Sequence, residues 1–149
     1  RSLRKMVKKY GIKFAVIDYL TLITGDREEN RTREIGSISR AIKGMAKEFN
    51  IPIITICQLN RKCEERLDKR PVLADLRESG EIEQDADIVM FVYRDEVYNT
   101  DENNPNRGTA EILIRKHRNG AIGSVTMAFL KSYQRFESLA TSDRYGDYS

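Results

Sequence analysis

The densest concentration of reactive side chains in this sequence is Asp75-Leu-Arg-Glu-Ser-Gly-Glu-Ile-Glu-Gln-Asp-Ala-Asp87, where thirteen residues hold six acids and one arginine. So polar a segment reads as a loop or a solvated helix face, and its first chemical implication is a carboxylate-rich metal or acid/base site. A second chemistry competes within the same stretch. Arg77, Glu78, Ser79 and Gly80 bring together a cation, a hydroxyl and a glycine that permits close backbone approach. That set suits a phosphodiester backbone better than a metal, because backbone N–H groups bind phosphate without reading sequence. Glu81, Glu83, Asp85 and Asp87 oppose it by repelling phosphate. Glu81 and Asp85 fall at helical spacing, so a short helix can turn these acids aside. Composition leaves the choice open.

Other candidates stand alone or in pairs. Asp18 closes the apolar run Phe14-Ala-Val-Ile17, at the strand end where α/β sheets place their ligand sites. A carboxylate there either holds Mg²⁺ through water beside a bound nucleotide or simply starts a loop, and periodicity does not separate the two. Gln58 occupies the same position on the next strand and can reach a phosphate or a water. Lys116 and Arg118 are two apart at a strand end and share one side if extended. They can reach anionic oxygens, the arginine bidentately, although an exposed hairpin tip has the same composition. His117 faces the other way and is assigned no role. With one histidine in the chain, Cys57 and Cys63 do not make a four-ligand zinc site and read as reduced thiols of a cytoplasmic protein.

The elements that position these residues follow from apolar spacing. Leu3, Met6, Val7 and Tyr10 share one helical face, with Arg1, Arg4, Lys5, Lys8 and Lys9 opposite as a solvated surface. Gly11 is the expected cap. An opening in mid-helix suggests a piece of a longer protein. Phe14 to Ile17 reads as a central parallel strand, and residues 24–31 as a polar loop. Ile35, Ile38, Ile42, Met45 and Phe49 step by 3, 4, 3 and 4, an amphipathic helix capped by Asn30 or Thr32 and stopped at Asn50. Ile53 to Cys57 is the next strand, so a βαβ unit with parallel strands is predicted. The apolar run Ile88 to Tyr93 reads as a third, buried strand. Beyond the Asn103-Asn104-Pro105-Asn106 loop, residues 111–116, 124–130 and 134–139 read as strands, the first two joined at Asn119-Gly120. The architecture is α/β, with central parallel strands and an antiparallel hairpin region at the carboxyl end.

A length of 149 residues fits one domain. Hydrophobic content of 40% and charged content of 33% describe a soluble, globular chain. A net charge of +3 does not itself demand a nucleic-acid partner. No apolar run reaches membrane-spanning length, and there is no internal repeat.

Five ordered motifs carry a family resemblance. Val16-Ile-Asp-Tyr-Leu20, Cys57-Gln-Leu-Asn-Arg61, Asp68-Lys-Arg-Pro71, the 75–87 stretch and Lys116-His-Arg-Asn-Gly120 resemble, in order and spacing, the replicative DNA helicases of the bacterial DnaB family. The resemblance runs from Phe14 to about Leu139. It implies a RecA-like motor that uses ATP and Mg²⁺, forms a homo-hexamer, translocates on single-stranded DNA and works with a helicase loader and a primase. Carried over residue by residue, Asp18 looks like the Walker B aspartate that orders Mg²⁺. Gln58 looks like the polar sensor linking the γ-phosphate to the DNA loop. Arg77, Glu78 and Gly80 look like DNA-backbone contacts facing the central channel. Arg118, with Lys116 beside it, looks like the arginine finger offered to a neighbouring subunit's ATP.

One departure is substantial. No Gly-x-x-x-x-Gly-Lys-Ser/Thr phosphate loop occurs in these residues, and the family's catalytic glutamate also lies ahead of the Walker B strand. Residues 1–140 are therefore expected to be the carboxyl-terminal portion of a RecA-like ATPase domain, with 141–149 a polar tail, and this stretch alone is expected not to hydrolyse ATP. Cys57 stands where many relatives carry Ser, a conservative change in size. The rival readings are a RecA/RadA-type recombinase ATPase and a non-enzymatic scaffold that retains the fold.

Overall fold

The computed structural model describes residues 2–18, 31–76 and 80–139. The chain forms two compact units, Arg1–Asp87 and Ile88–Ser149.

The first unit opens with α1 (Ser2–Tyr10). Gly11 ends it at φ 61°, its N–H donating to the Val7 carbonyl at 2.9 Å. That left-handed conformation is open to glycine without the penalty a Cβ brings. β1 (Ala15–Ile17), α2 (Arg31–Phe49) and β2 (Ile53–Thr55) follow. The two strands pair in parallel, with Ala15 opposite Ile53 and Ile17 opposite Thr55, as the predicted βαβ unit requires. Both are shorter than expected from sequence. Asn50 terminates α2 at φ 50°. The Ile51 N–H reaches back to the Ala46 carbonyl at 3.2 Å and the Asn50 N–H to that of Lys47 at 3.3 Å. These are the paired bonds of a Schellman ending, and they turn the chain into β2. Thr32 lies inside α2, not at its cap. Asn30 and the 24–30 part of the expected polar loop lie outside the described residues, as does the 141–149 tail.

The α2 spacing delivers what its periodicity predicts. Ile35, Ile38 and Ile42 are buried together, and Ile17, Met45, Ile53, Cys57 and Ile82 pack against them. The helix thus covers both strands and also receives Ile82 from α3 (Gly80–Asp85). Replacing Ile38 by Ala should cost ~2–5 kcal/mol, the lost transfer energy plus a cavity between helix and sheet. Denaturant unfolding checks this, and a loss below ~1 kcal/mol would mean that the site collapses freely.

The second unit is an antiparallel meander in the order β3 (Ile88–Tyr93), β4 (Thr109–His117), β5 (Gly123–Leu130), β6 (Arg135–Ser138). Here the expectation for the third strand is corrected. Read as a fully buried run, β3 instead buries Val89, Phe91 and Tyr93 and exposes Ile88, Met90 and Val92. Among the described residues it pairs antiparallel with β4. An antiparallel sheet can pack one face only, so continuous hydrophobicity does not decide burial. The last strands hold their register through an edge-to-face contact of Phe129 on Phe136, with centroids 5.0 Å apart. Arg94 lies over the Phe129 ring and pairs with Glu96.

Candidate functional site

Asp18 and Gln58 leave the same edge of the two-stranded sheet. The Ile56 N–H donates to the Ile17 carbonyl at 2.9 Å, so Asp18 leaves β1 level with Ile56, and Gln58 follows two residues further along the neighbouring chain. Both side chains are exposed. Among the described residues, no three His, Cys, Asp or Glu side chains converge in a form able to hold a metal. A lone carboxylate at a strand end still fits Mg²⁺, which takes one or two carboxylates and completes its shell with phosphate oxygens and water. Cys57, between these positions, is half-buried. Burial pushes its thiol up and a hydrogen bond with Thr55 offsets part of that rise, so it stays protonated and unreactive at neutral pH.

The residue after Gln58 meets the acidic stretch across a backbone bridge. Leu59 forms an isolated antiparallel bridge with Leu76, and the Asn60 N–H donates to the Asp75 carbonyl at 2.9 Å. Between these ends the Asn60 side chain accepts from the Lys62 N–H at 3.1 Å and caps a 3-10 turn, Arg61–Glu65, that buries Cys63. Asp75 does not belong to the solvated segment it was grouped with. It is buried, and the Arg66 guanidinium grips it with two bonds of 2.7 Å. The Val72 N–H donates to the same carboxylate at 2.8 Å. The bonds from Arg66 and from the Val72 backbone outweigh desolvation and hold the Asp75 carboxyl below the usual carboxylate range. A depressed carboxyl stabilises the fold above its ordinary value, so the pair is intact at neutral pH and is lost only as pH falls below about 4. Arg66 was missed by sequence reasoning. A pair nine residues apart in irregular chain has no periodic signal.

Arg77 and Glu78 lie outside the described residues, and Gly80, expected in the loop, is the first residue of α3. The helical spacing of the acids beyond it is realised, and it turns them onto α2. Glu81 pairs with Arg40 at 2.6 Å, and Asp87 pairs with Lys43. The approach is close because Gly36 is buried where α3 crosses: a Cβ there would sit 1.4 Å from the Glu81 carboxylate. Among the described residues the stretch forms no carboxylate-rich metal cage, and three of its acids are held by arginine or lysine.

In the second unit, Lys116 lies in β4 opposite Val89, half-buried, while Arg118 sits on the turn beyond the strand and is exposed. The expected shared side requires extended backbone through Arg118, which instead lies in a turn. Val89 and Met90 face Lys116 and Ile114, which leaves Arg115 as an extra residue, and the strand stops at His117. The ladder to β5 closes earlier, at Ile114 and Gly123, so Asn119-Gly120 belongs to a wide loop. The His117 ring covers Gly120, where a Cβ would lie 2.3 Å from the imidazole.

The same sequence and geometry recur in known proteins. The family model described as DnaB-like helicase C terminal domain matches residues 1–138. The replicative DNA helicase DnaB of Pasteurella multocida (strain Pm70) is 52% identical over 141 residues, covering 94% of this chain and 30% of that protein. That of Geobacillus stearothermophilus is 49% identical over 138 residues, covering 91% and 30%. Among solved structures, one ATPase domain superposes with a TM-score of 0.85 at 43% identity, covering 93% of this chain and 49% of that one. A DnaB-like replicative helicase studied for its interactions with primase gives 0.85 at 42% identity, covering 93% and 33%. The chain therefore spans about a third of the curated relatives it matches.

Proposed function

From the premise that this chain belongs to the DnaB-like helicase C-terminal domain family, we propose that it is part of an ATP-driven replicative helicase that translocates on single-stranded DNA and unwinds duplex. The observation that carries the reading is the shared edge from which Asp18 and Gln58 emerge, with Gln58 tied through Leu59 to Leu76 at the foot of the 77–80 segment. A nucleotide phosphate and a DNA strand then touch two ends of one short, hydrogen-bonded path. Asp18 is the residue that would hold Mg²⁺ through water, and the bound ion supplies charge neutralisation on the phosphates of ATP. Gln58 presents an amide to the terminal phosphate. Arg118, exposed on its turn, presents a planar fork to the nucleotide of a neighbouring copy, with Lys116 behind it. That role requires a neighbouring copy, here read as one of a homo-hexamer, with a helicase loader and a primase as further partners; the solved DnaB-like helicase studied for its interactions with primase supports the last. No helix among the described residues is long and apolar enough to cross a membrane.

The DNA side of the reading is carried by Arg77, Glu78 and Gly80. Pairing of Glu81 with Arg40 and of Asp87 with Lys43 supports it by neutralising acids next to a phosphate path. In the longer protein, Arg77→Ala should weaken binding to all single-stranded sequences alike and reduce the salt slope by about 1, the signature of one lost phosphate contact. An unchanged slope removes Arg77 from the DNA path. The whole reading is tested by hydrolysis and fork unwinding with the full-length protein. A protein that hydrolyses no ATP and opens no fork would leave the scaffold reading standing.

A further inference from the structure

The loop from Leu59 to Leu76 is closed at its mouth by very little backbone. Among the described residues, one antiparallel bridge, with the Asn60 N–H to Asp75 carbonyl bond in it, joins its ends, and so short a ladder frays easily. What holds the loop shut is a single carboxylate. Asp75 takes both arms of Arg66 and the Val72 N–H, while Arg66 also donates to the Arg70 carbonyl at 2.9 Å. With the Arg66 Nε–H also donating to the Asp68 carbonyl at 3.4 Å, five points of the loop converge on one ion pair, whose acid is buried and whose arginine is half-exposed. Buried ion pairs often add little net stability compared with apolar packing, but they fix geometry, because a displaced partner leaves a charge unmet. This one lies immediately before Leu76, and the opposite lip of the mouth follows directly on Gln58.

We propose that Arg66 and Asp75 are positioning residues: their bidentate pair fixes Leu76 beside Leu59 and so sets the spacing between the nucleotide-sensing amide of Gln58 and the chain that enters the DNA-gripping segment. The inference rests on the helicase reading above and deepens it. Neither residue is assigned a contact with nucleotide or DNA. Their loss should uncouple the two ends of the path without disabling either.

The test uses the full-length protein with two mild variants. Arg66→Lys keeps the charge but loses the fork, and Asp75→Asn keeps the shape and an acceptor for the Val72 N–H. ATP hydrolysis is measured with and without oligo(dT), alongside KM for ATP, thermal stability and ring assembly. Both variants are expected to assemble, with basal hydrolysis and KM like the parent, while stimulation by oligo(dT) falls about 5- to 30-fold. Lower thermal stability with parental stimulation would make the pair a simple staple and overturn the proposal. If Asp75→Asn fails to fold, Arg66→Lys alone decides on the same criterion. A parent that shows no stimulation overturns the helicase reading itself, a result distinct from a responsive parent and equally responsive variants.

Discussion

Arg118→Ala in the full-length protein should lower ATP hydrolysis by about 10³–10⁵-fold, the loss seen when a guanidinium no longer stabilises charge on a transferring phosphate. Nucleotide affinity should change little, since an arginine offered from a neighbouring copy acts chiefly on charge that develops during transfer. Its place in the fold supports this. Arg118 stands exposed beyond the end of β4, on a turn where the His117 ring lies over Gly120. Mixing the variant with parent subunits discriminates. An arginine acting across an interface poisons mixed rings more steeply than its share of subunits, whereas one acting within its own subunit lowers activity in proportion. Proportional loss would refute the assignment in trans.

Asp18→Asn should lower turnover by roughly 10²–10³-fold, corresponding to several kcal/mol of charge stabilisation at the phosphates, and should shift the Mg²⁺ dependence to higher concentration. The substitution preserves size at an exposed strand end and lies outside the buried α2 core, so folding should be untouched. An Mg²⁺ titration that superposes on the parent's would mean that Asp18 merely begins a loop, the alternative that periodicity left open.

Much of this molecule is readable without coordinates because its signals are local. The 3, 4, 3, 4 spacing from Ile35 to Phe49 names the face of α2 that packs, Gly11 and Asn50 mark helix ends that need positive φ, and two short strands flanking α2 pair in parallel. The motifs containing Asp18, Gln58, Arg77 and Arg118 were legible as a family pattern, and the family match over residues 1–138 agrees with it.

What the sequence by itself determined is this run of elements and the family that its motifs name, since both are written in neighbouring residues or in their order. Tertiary structure alone decided which charges meet. Glu81 finds Arg40 across 41 positions, Asp87 finds Lys43 across 44, and Asp75 is buried on Arg66. It also decided that β3 buries one face and not two. Ion pairs and one-sided burial depend on which surfaces the folded chain brings together, and no period along the chain encodes that. A stretch whose acids suggested a metal is instead buttressed by α2 and clamped by Arg66.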